Sequence, residues 1–254
     1  MKRNDWPLFE KSMEHSFNFK SKLEEDKWNI LEKNYTAFCN REKGKEKIPK
    51  IIHQLWLGKP MPEMEKNCTE TVKKNKGADW EYKLWGLKDL KSLNFLDKDI
   101  FNKAADLPHQ GIARQVDIAR YAILYEHGGV YLDTDFLLHK NFNELLDVEF
   151  FTGIAYDKQA RVFNGLFGTE PKGKIIESCL TLDSALEENP MTSTGPHFLT
   201  RKIFENIDTN PLLLPVSFFY PFPNFPHSRH LGDNYIPYLK EESICTHLWS
   251  GAWM

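Results

Sequence analysis

The stretch Gln115-Val116-Asp117-Ile118-Ala119-Arg120-Tyr121-Ala122-Ile123-Leu124-Tyr125-Glu126-His127-Gly128-Gly129-Val130-Tyr131-Leu132-Asp133-Thr134-Asp135 decides how this chain is read. Ile112, Val116, Ala119 and Ile123 recur at helical spacing, which predicts a helix over about 110–127 with Gly128 as its stop. Val130-Tyr131-Leu132 then reads as a short buried strand running into Asp133-Thr134-Asp135. Whether the strand continues or the chain turns, two carboxylates converge at its end. Hard cations such as Mg²⁺ and Mn²⁺ favour oxygen ligands of this kind, and two unpaired carboxylates held close would otherwise repel. Asp117 and Arg120 lie three apart on one side of the helix. That spacing fits a surface salt bridge as well as a pair aimed at a ligand cleft.

Outward from this stretch, strands alternate with helices. Ile51–Leu57 reads as a strand ending at Gly58, and 62–76 as a helix closed by Gly77. Trp80–Trp85 reads as a second strand, with short helices over 87–93 and 98–105. Further strands are expected at 148–156 and 161–168, with helices at 172–187 and 195–206. Residues 211–238 are rich in Pro and aromatics and read as loop, and 244–247 as a last strand. Such alternation predicts an α/β domain with a largely parallel sheet, whose ligands bind beyond the carboxyl ends of the strands.

Residues 5–40 carry Leu8, Phe9, Met13, Phe17, Leu23, Trp28, Leu31, Tyr35 and Phe38 at loosely helical spacing, and the charged run 41–47 follows. The expected organisation is therefore a helical N-terminal appendage, 1–47, and a main domain, 48–254. The 254 residues carry 33 Lys+Arg and 36 Asp+Glu, a net charge of −3, which excludes nucleic-acid binding driven by bulk positive charge. Four widely spaced cysteines form no CxxC pair, so a structural zinc site is not expected. The sequence shows no secretory signal pattern and no apolar run long enough to span a bilayer. The expected compartment is a reducing cytosol, with peripheral membrane association left open; oligomeric state is not legible.

The run Asp117-x-x-Arg120-Tyr121-x-x-Leu124-x-x-x-Gly128-Gly129-x-Tyr131-x-Asp133-x-Asp135 resembles the signature of the family 32 glycosyltransferases with a DXD sugar-binding region. It is also similar to the glucosyltransferase domains of the large clostridial toxins. Supporting matches are Ile48–Trp56, Phe163–Gly168, Thr194-Gly195-Pro196 and His247–Trp253. The resemblance covers 48–253 and implies a GT-A fold, a Rossmann-like mixed sheet flanked by helices. It implies a nucleotide-sugar donor (UDP-sugar favoured, GDP-sugar the alternative), Mn²⁺ or Mg²⁺, a glycan or other hydroxyl acceptor, and retention of anomeric configuration. By the same resemblance Asp133 lies near the ribose and the metal, Asp135 binds the metal, and His247 is a further metal or diphosphate ligand. Asp117 and Arg120 hold the donor sugar and Asn164 sits beside it. Trp249 and Ser250 meet the diphosphate, and Trp56 lies near the base.

Plainer roles stand beside these. His53 and Gln54 fit satisfied polar groups at the core's edge better than catalysts, and Trp56 fits core as well as base stacking. His109 and His127 fit capping or surface positions. The segment Phe218–His227 fits core packing or an acceptor pocket. A rival activity, phosphatase chemistry with an aspartyl nucleophile, also uses Asp-x-Asp after a strand. It calls for an early strand and a second acidic pair, which Gly232-Asp233-Asn234 does not supply. The non-enzymatic rival is a catalytically silent nucleotide-sugar or glycan-binding protein of the same fold.

Overall fold

A computed structural model of the chain describes residues 2–9, 19, 21–107, 111–157, 159–182, 186, 189–224 and 234–251, with the side chains of 156–160 left aside. The expectations for Met13, Phe17, His109, residues 225–233 and Trp253 lie outside the described residues.

The elements run α1 (Lys22–Asn40), β1 (Ile51–Leu55), α2 (Glu63–Asn75), β2 (Glu81–Trp85), α3 (Leu87–Leu90), α4 (Lys98–Asp106) and α5 (Gly111–His127). Next come β3 (Gly129–Leu132), β4 (Phe136–Leu138), β5 (Phe150–Asp157), β6 (Gln159–Thr169), α6 (Lys174–Leu180), α7 (Pro190–Ser193) and α8 (Pro196–Glu205). The last are β7 (Leu212–Leu214), α9 (Val216–Phe219) and β8 (Cys245–His247). Six strands form the main sheet in the order β2-β1-β3-β6-β5-β7, and β4 pairs with β8 in a small second sheet.

The sheet is mixed. β1 runs parallel to β2 and β3, and β5 parallel to β7, while β6 is antiparallel to both β3 and β5. Three of the sheet's five described pairings are parallel, in keeping with the expectation, and the antiparallel ones come from β6, whose hairpin with β5 joins adjacent strands without a crossover helix. Two further strands were not foreseen. β7 falls in the segment read as loop, because Leu212-Leu213-Leu214 is buried throughout and shows no alternation. β4 follows the two carboxylates directly, with Phe136 and Leu138 buried. The helix expected over 172–187 stops at Leu180, and that expected over 195–206 is α8, with the single-turn α7 ahead of it.

The α5 helix crosses the sheet with every residue from Val116 to Leu124 buried. Apolar residues and Tyr121 fill most of that run, as a helix packed inside requires, and the two charges within it, Asp117 and Arg120, are buried as well. Its exit is fixed by Gly128 and Gly129, at φ +63° and +92°. A Cβ on Gly129 would stand 2.5 Å from the Ile51 carbonyl oxygen, so only glycine lets β3 start so close to β1. At the other edge α1 lies along β7. Ser21 caps it, accepting from the Glu24 N–H at 3.2 Å. Trp28, Leu31, Tyr35 and Phe38 join the same hydrophobic cluster as the sheet, whereas Leu8 and Leu23 are exposed. Arg3, itself buried, pairs with buried Asp147 at 2.7 Å. The described residues contain no helix long and apolar enough to cross a membrane.

Candidate active site

A cleft of about 350 Å³ opens at the carboxyl end of β3. Its polar lining includes Asp117, Arg120, Asp133, Asp135, Asn164, His247 and Ser250; Phe163, Met191, Pro196 and Trp249 supply apolar wall. Of the residues to which the resemblance gives a donor or metal role, Trp56 is the one absent from the described lining of the cleft. It is half-buried just past β1, and its indole donates to the Lys59 carbonyl at 2.6 Å.

Each side chain arrives by a traceable route. Asp133 is the first residue after β3, and its N–H donates to the Gly165 carbonyl at 2.8 Å, extending the pairing with β6. That register sets Gly165 opposite Asp133, with Asn164 the next residue along β6. A Cβ on Gly165 would come within 2.8 Å of Asp133 Oδ2, so the absence of a side chain there makes room for the carboxylate. Gln54 Nε2 donates to the Asp133 carbonyl at 3.1 Å, and Tyr82 donates to Gln54 Oε1 at 2.8 Å. Gln54 thus braces the site from β1. Thr134 and Asp135 make the turn into β4, and pairing with β8 sets Phe136 opposite His247. This small sheet delivers the distant histidine beside Asp135, with His247 Nε2 2.9 Å from Asp135 Oδ1. The Ser250 N–H donates to Asp135 Oδ2 at 3.0 Å.

The charges are buried. Asp117 is 8% exposed and Arg120 4%, so their pairing at 3.2 Å is no surface salt bridge. Arg120 Nη2 also lies 3.2 Å from Asp133 Oδ1, its Nη1 donates to the Asn164 carbonyl, and Tyr131 donates to Asp133 Oδ1 at 2.9 Å. Asp117 accepts from Asn164 Nδ2 at 2.7 Å and from Thr194 Oγ1 at 3.0 Å. Burial first, and then the nearby Asp133, push the Asp117 carboxyl up to about 6 against the pull of Arg120. Burial and Asp135 likewise raise Asp133 against the opposing pull of Arg120. Burial would raise Asp135 as well, but His247 and the Ser250 N–H outweigh it and hold that carboxyl below its ordinary range.

Asp133, Asp135 and His247 each offer one ligand atom, all within 4.8 Å of one another. His247 Nδ1 is buried with no partner among the described residues, so the ring engages the cleft through Nε2. Two carboxylate oxygens and one imidazole nitrogen suit a divalent ion such as Mn²⁺. Trp249 packs against His247, ring centroids 4.1 Å apart, and sits at φ +55°, a conformation costly for a bulky side chain. Its indole donates to the Phe222 carbonyl at 2.8 Å.

Elsewhere the plainer roles hold. His53 is fully buried and bonded within the core. Phe218, Phe219, Tyr220 and Phe222 are core, while Asn224 from the same segment reaches the cleft. Sequence reading missed Thr194 as a partner of Asp117 and Tyr131 as a partner of Asp133. The motif matches held Thr194 within a turn, but a contact across 77 positions leaves no mark in local spacing.

Comparison with known proteins gives a family, two relatives and a solved structure. The family model described as glycosyltransferase sugar-binding region containing DXD motif matches residues 62–152. An uncharacterised glycosyltransferase, L373, of Acanthamoeba polyphaga mimivirus is 32% identical over 176 residues, 65% of this chain and 68% of that protein. Inositol phosphoceramide mannosyltransferase 1 of Schizosaccharomyces pombe is 27% identical over 208 residues, and this chain spans 63% of its length. Among solved structures, the PaToxG glycosyltransferase superposes with a TM-score of 0.50 at 20% identity, covering 72% of this chain and 80% of that one. At that identity the likeness is one of fold, the GT-A arrangement.

Proposed function

The chain belongs to the glycosyltransferases whose sugar-binding region contains a DXD motif, and from that premise we propose a metal-dependent, retaining enzyme that moves a hexose from a UDP- or GDP-sugar to a hydroxyl of a glycan or sphingolipid-linked acceptor. One observation carries the reading. The Asp133, Asp135 and His247 cluster and the Asp117, Arg120 and Asn164 network line the same cleft.

In this reading Asp135 and His247 hold the ion, with Asp133 beside them. A divalent ion there supplies charge stabilisation for the departing diphosphate. Asp117 and Asn164 accept from and donate to the sugar's hydroxyls. Arg120 keeps Asp117 and Asp133 ionised and fixed, and offers positive charge where the leaving group gains negative charge. Ser250 meets the diphosphate, and Trp249 walls that side with its ring. Retention follows from front-face attack. The acceptor oxygen bonds to the anomeric carbon as the bond to phosphate breaks, and the leaving phosphate oxygen takes the acceptor's proton. The name of the fission-yeast relative favours a sphingolipid-linked acceptor. Residues 48–254 form the catalytic domain in this reading and 1–47 its appendage.

Thermal unfolding against a panel of nucleotide sugars, with and without Mn²⁺, tests it. One UDP- or GDP-hexose should raise Tm only when Mn²⁺ is present, because a ligand of the folded state stabilises it by about 2.7 kcal/mol at a hundredfold excess over its Kd. No shift with any donor, or an equal shift without the ion, would count against the assignment.

A further inference from the structure

We propose that Thr194 is a positioning residue for the donor sugar, acting through Asp117. The inference rests on the reading of Asp117 as a sugar contact.

Asp117 has two carboxylate oxygens and both are held. Oδ1 takes Asn164 Nδ2 at 2.7 Å and lies 3.2 Å from Arg120 Nη2. Oδ2 takes Thr194 Oγ1 at 3.0 Å. The three donors come from three places: β6, α5 itself, and the turn before α8. Remove Thr194 and Oδ2 loses its protein donor, leaving the carboxylate free to swing about the Oδ1 side.

The turn is itself tied to α5. Tyr121, one helical turn after Asp117, donates to the Thr194 carbonyl at 2.8 Å, and both Tyr121 and Thr194 are fully buried. Asp117 and Tyr121 stand four apart and so share a helix face. One face of α5 therefore presents the carboxylate and anchors the turn that completes its shell. The next two residues of that turn, Gly195 and Pro196, line the cleft. A Cβ on Gly195 would stand 2.9 Å from the Pro190 carbonyl oxygen and 3.5 Å from Asp117 Oδ2. The chain here is pressed against the carboxylate, with the Thr194 hydroxyl as the group that bonds to it. A carboxylate fixed from both oxygens is oriented before the donor arrives, and such preorganisation shows in kcat more than in binding.

The experiment uses the full chain and measures hydrolysis of the preferred nucleotide sugar with Mn²⁺, below the Tm of every variant. Thr194→Val keeps shape and removes the donor. Its kcat should fall about ten- to a hundredfold, the loss expected of one hydrogen bond to a charged group, with a smaller change in KM. Thr194→Ser restores the hydroxyl and should stay within about threefold of the wild type. Thr200→Val, which removes a hydroxyl whose bond among the described residues is to the Pro196 carbonyl at 2.8 Å, should leave kcat unchanged. Wild-type kcat in Thr194→Val, or equal losses in the Val and Ser variants, would overturn the proposal. Asp117→Ala separates the two levels: undiminished turnover in that variant would overturn the reading of Asp117 itself.

Discussion

Arg120 has one side chain and four acceptors among the described residues, the Val116 carbonyl taking its Nε–H at 3.4 Å. Its guanidinium reaches Asp117 and Asp133 at 3.2 Å each and donates to the Asn164 carbonyl, with the Tyr131 ring 4.5 Å away. Burial works against its charge, but Asp133, Tyr131 and Asp117 together raise its pKa above the ordinary arginine range. Two carboxylates this close are tolerable only because the cation sits between them. Arg120→Met should therefore cost about 3–5 kcal/mol of stability, the usual penalty for orphaning buried charge. Arg120→Lys keeps a charge without the planar fork and should lose turnover while recovering part of that stability. Urea unfolding of the two variants checks this, and a Met variant as stable as the wild type would show that the network carries no such strain. Spacing in the sequence put Asp117 and Arg120 on one side of a helix. It could not say whether that side faces water, because burial depends on what packs against α5.

At the scale of elements, the sequence was most legible where the pattern was longest. The span of α5, the stop at Gly128 and the strand into Asp133 were all readable, since each is set by neighbours in the chain. What was lost is what depends on distant partners. β7 is three leucines between prolines, and only pairing with β5 makes it a strand. The small sheet of β4 and β8 joins Phe136 to His247. Motif matching brought His247 into the candidate site, while the pairing that delivers it was invisible. The edge of the sheet holds another such long-range fixture. His53 on β1 accepts from the Trp85 indole of β2 through Nδ1 at 3.0 Å, and its Nε2 faces the Gly128 carbonyl at 3.0 Å. The indole can only donate, so the ring is neutral with its proton on Nε2. Burial above all lowers its pKa from 6.5 to about 3. Below pH 6.5 the unfolded chain takes up a proton that the folded chain refuses, so this residue destabilises the fold as pH drops from 6.5 towards 3. The loss is roughly tenfold in folding equilibrium per pH unit. His53→Gln should be less stable than the wild type at pH 7 yet decline less steeply between pH 6.5 and 4.5. Denaturant midpoints across that range measure it, and parallel declines would contradict the assignment.

At the scale of the molecule, the net charge of −3 that excluded a generic polyanion binder sits beside a cleft rich in carboxylates. In the proposed reading a diphosphate is bound through a recruited cation, for which bulk positive charge is not required. The aromatic surplus divides along the same line: Phe163 and Trp249 wall the cleft, while Phe218, Phe219 and Tyr220 fill the core. The segment 1–47 also joins the whole. Trp28, Leu31 and Tyr35 belong to the same hydrophobic cluster as the sheet, and the Arg3 pair with Asp147 ties its start to the loop before β5. The central claim is that Asp135 holds the ion on which donor turnover depends. The direct measurement is the initial rate of donor turnover against Mn²⁺ concentration for the wild type and Asp135→Asn. The wild-type rate should rise with Mn²⁺ and saturate, and the variant should stay at least about a hundredfold slower at every concentration. A variant that matches the wild type, or a wild-type rate indifferent to the ion, would contradict the account.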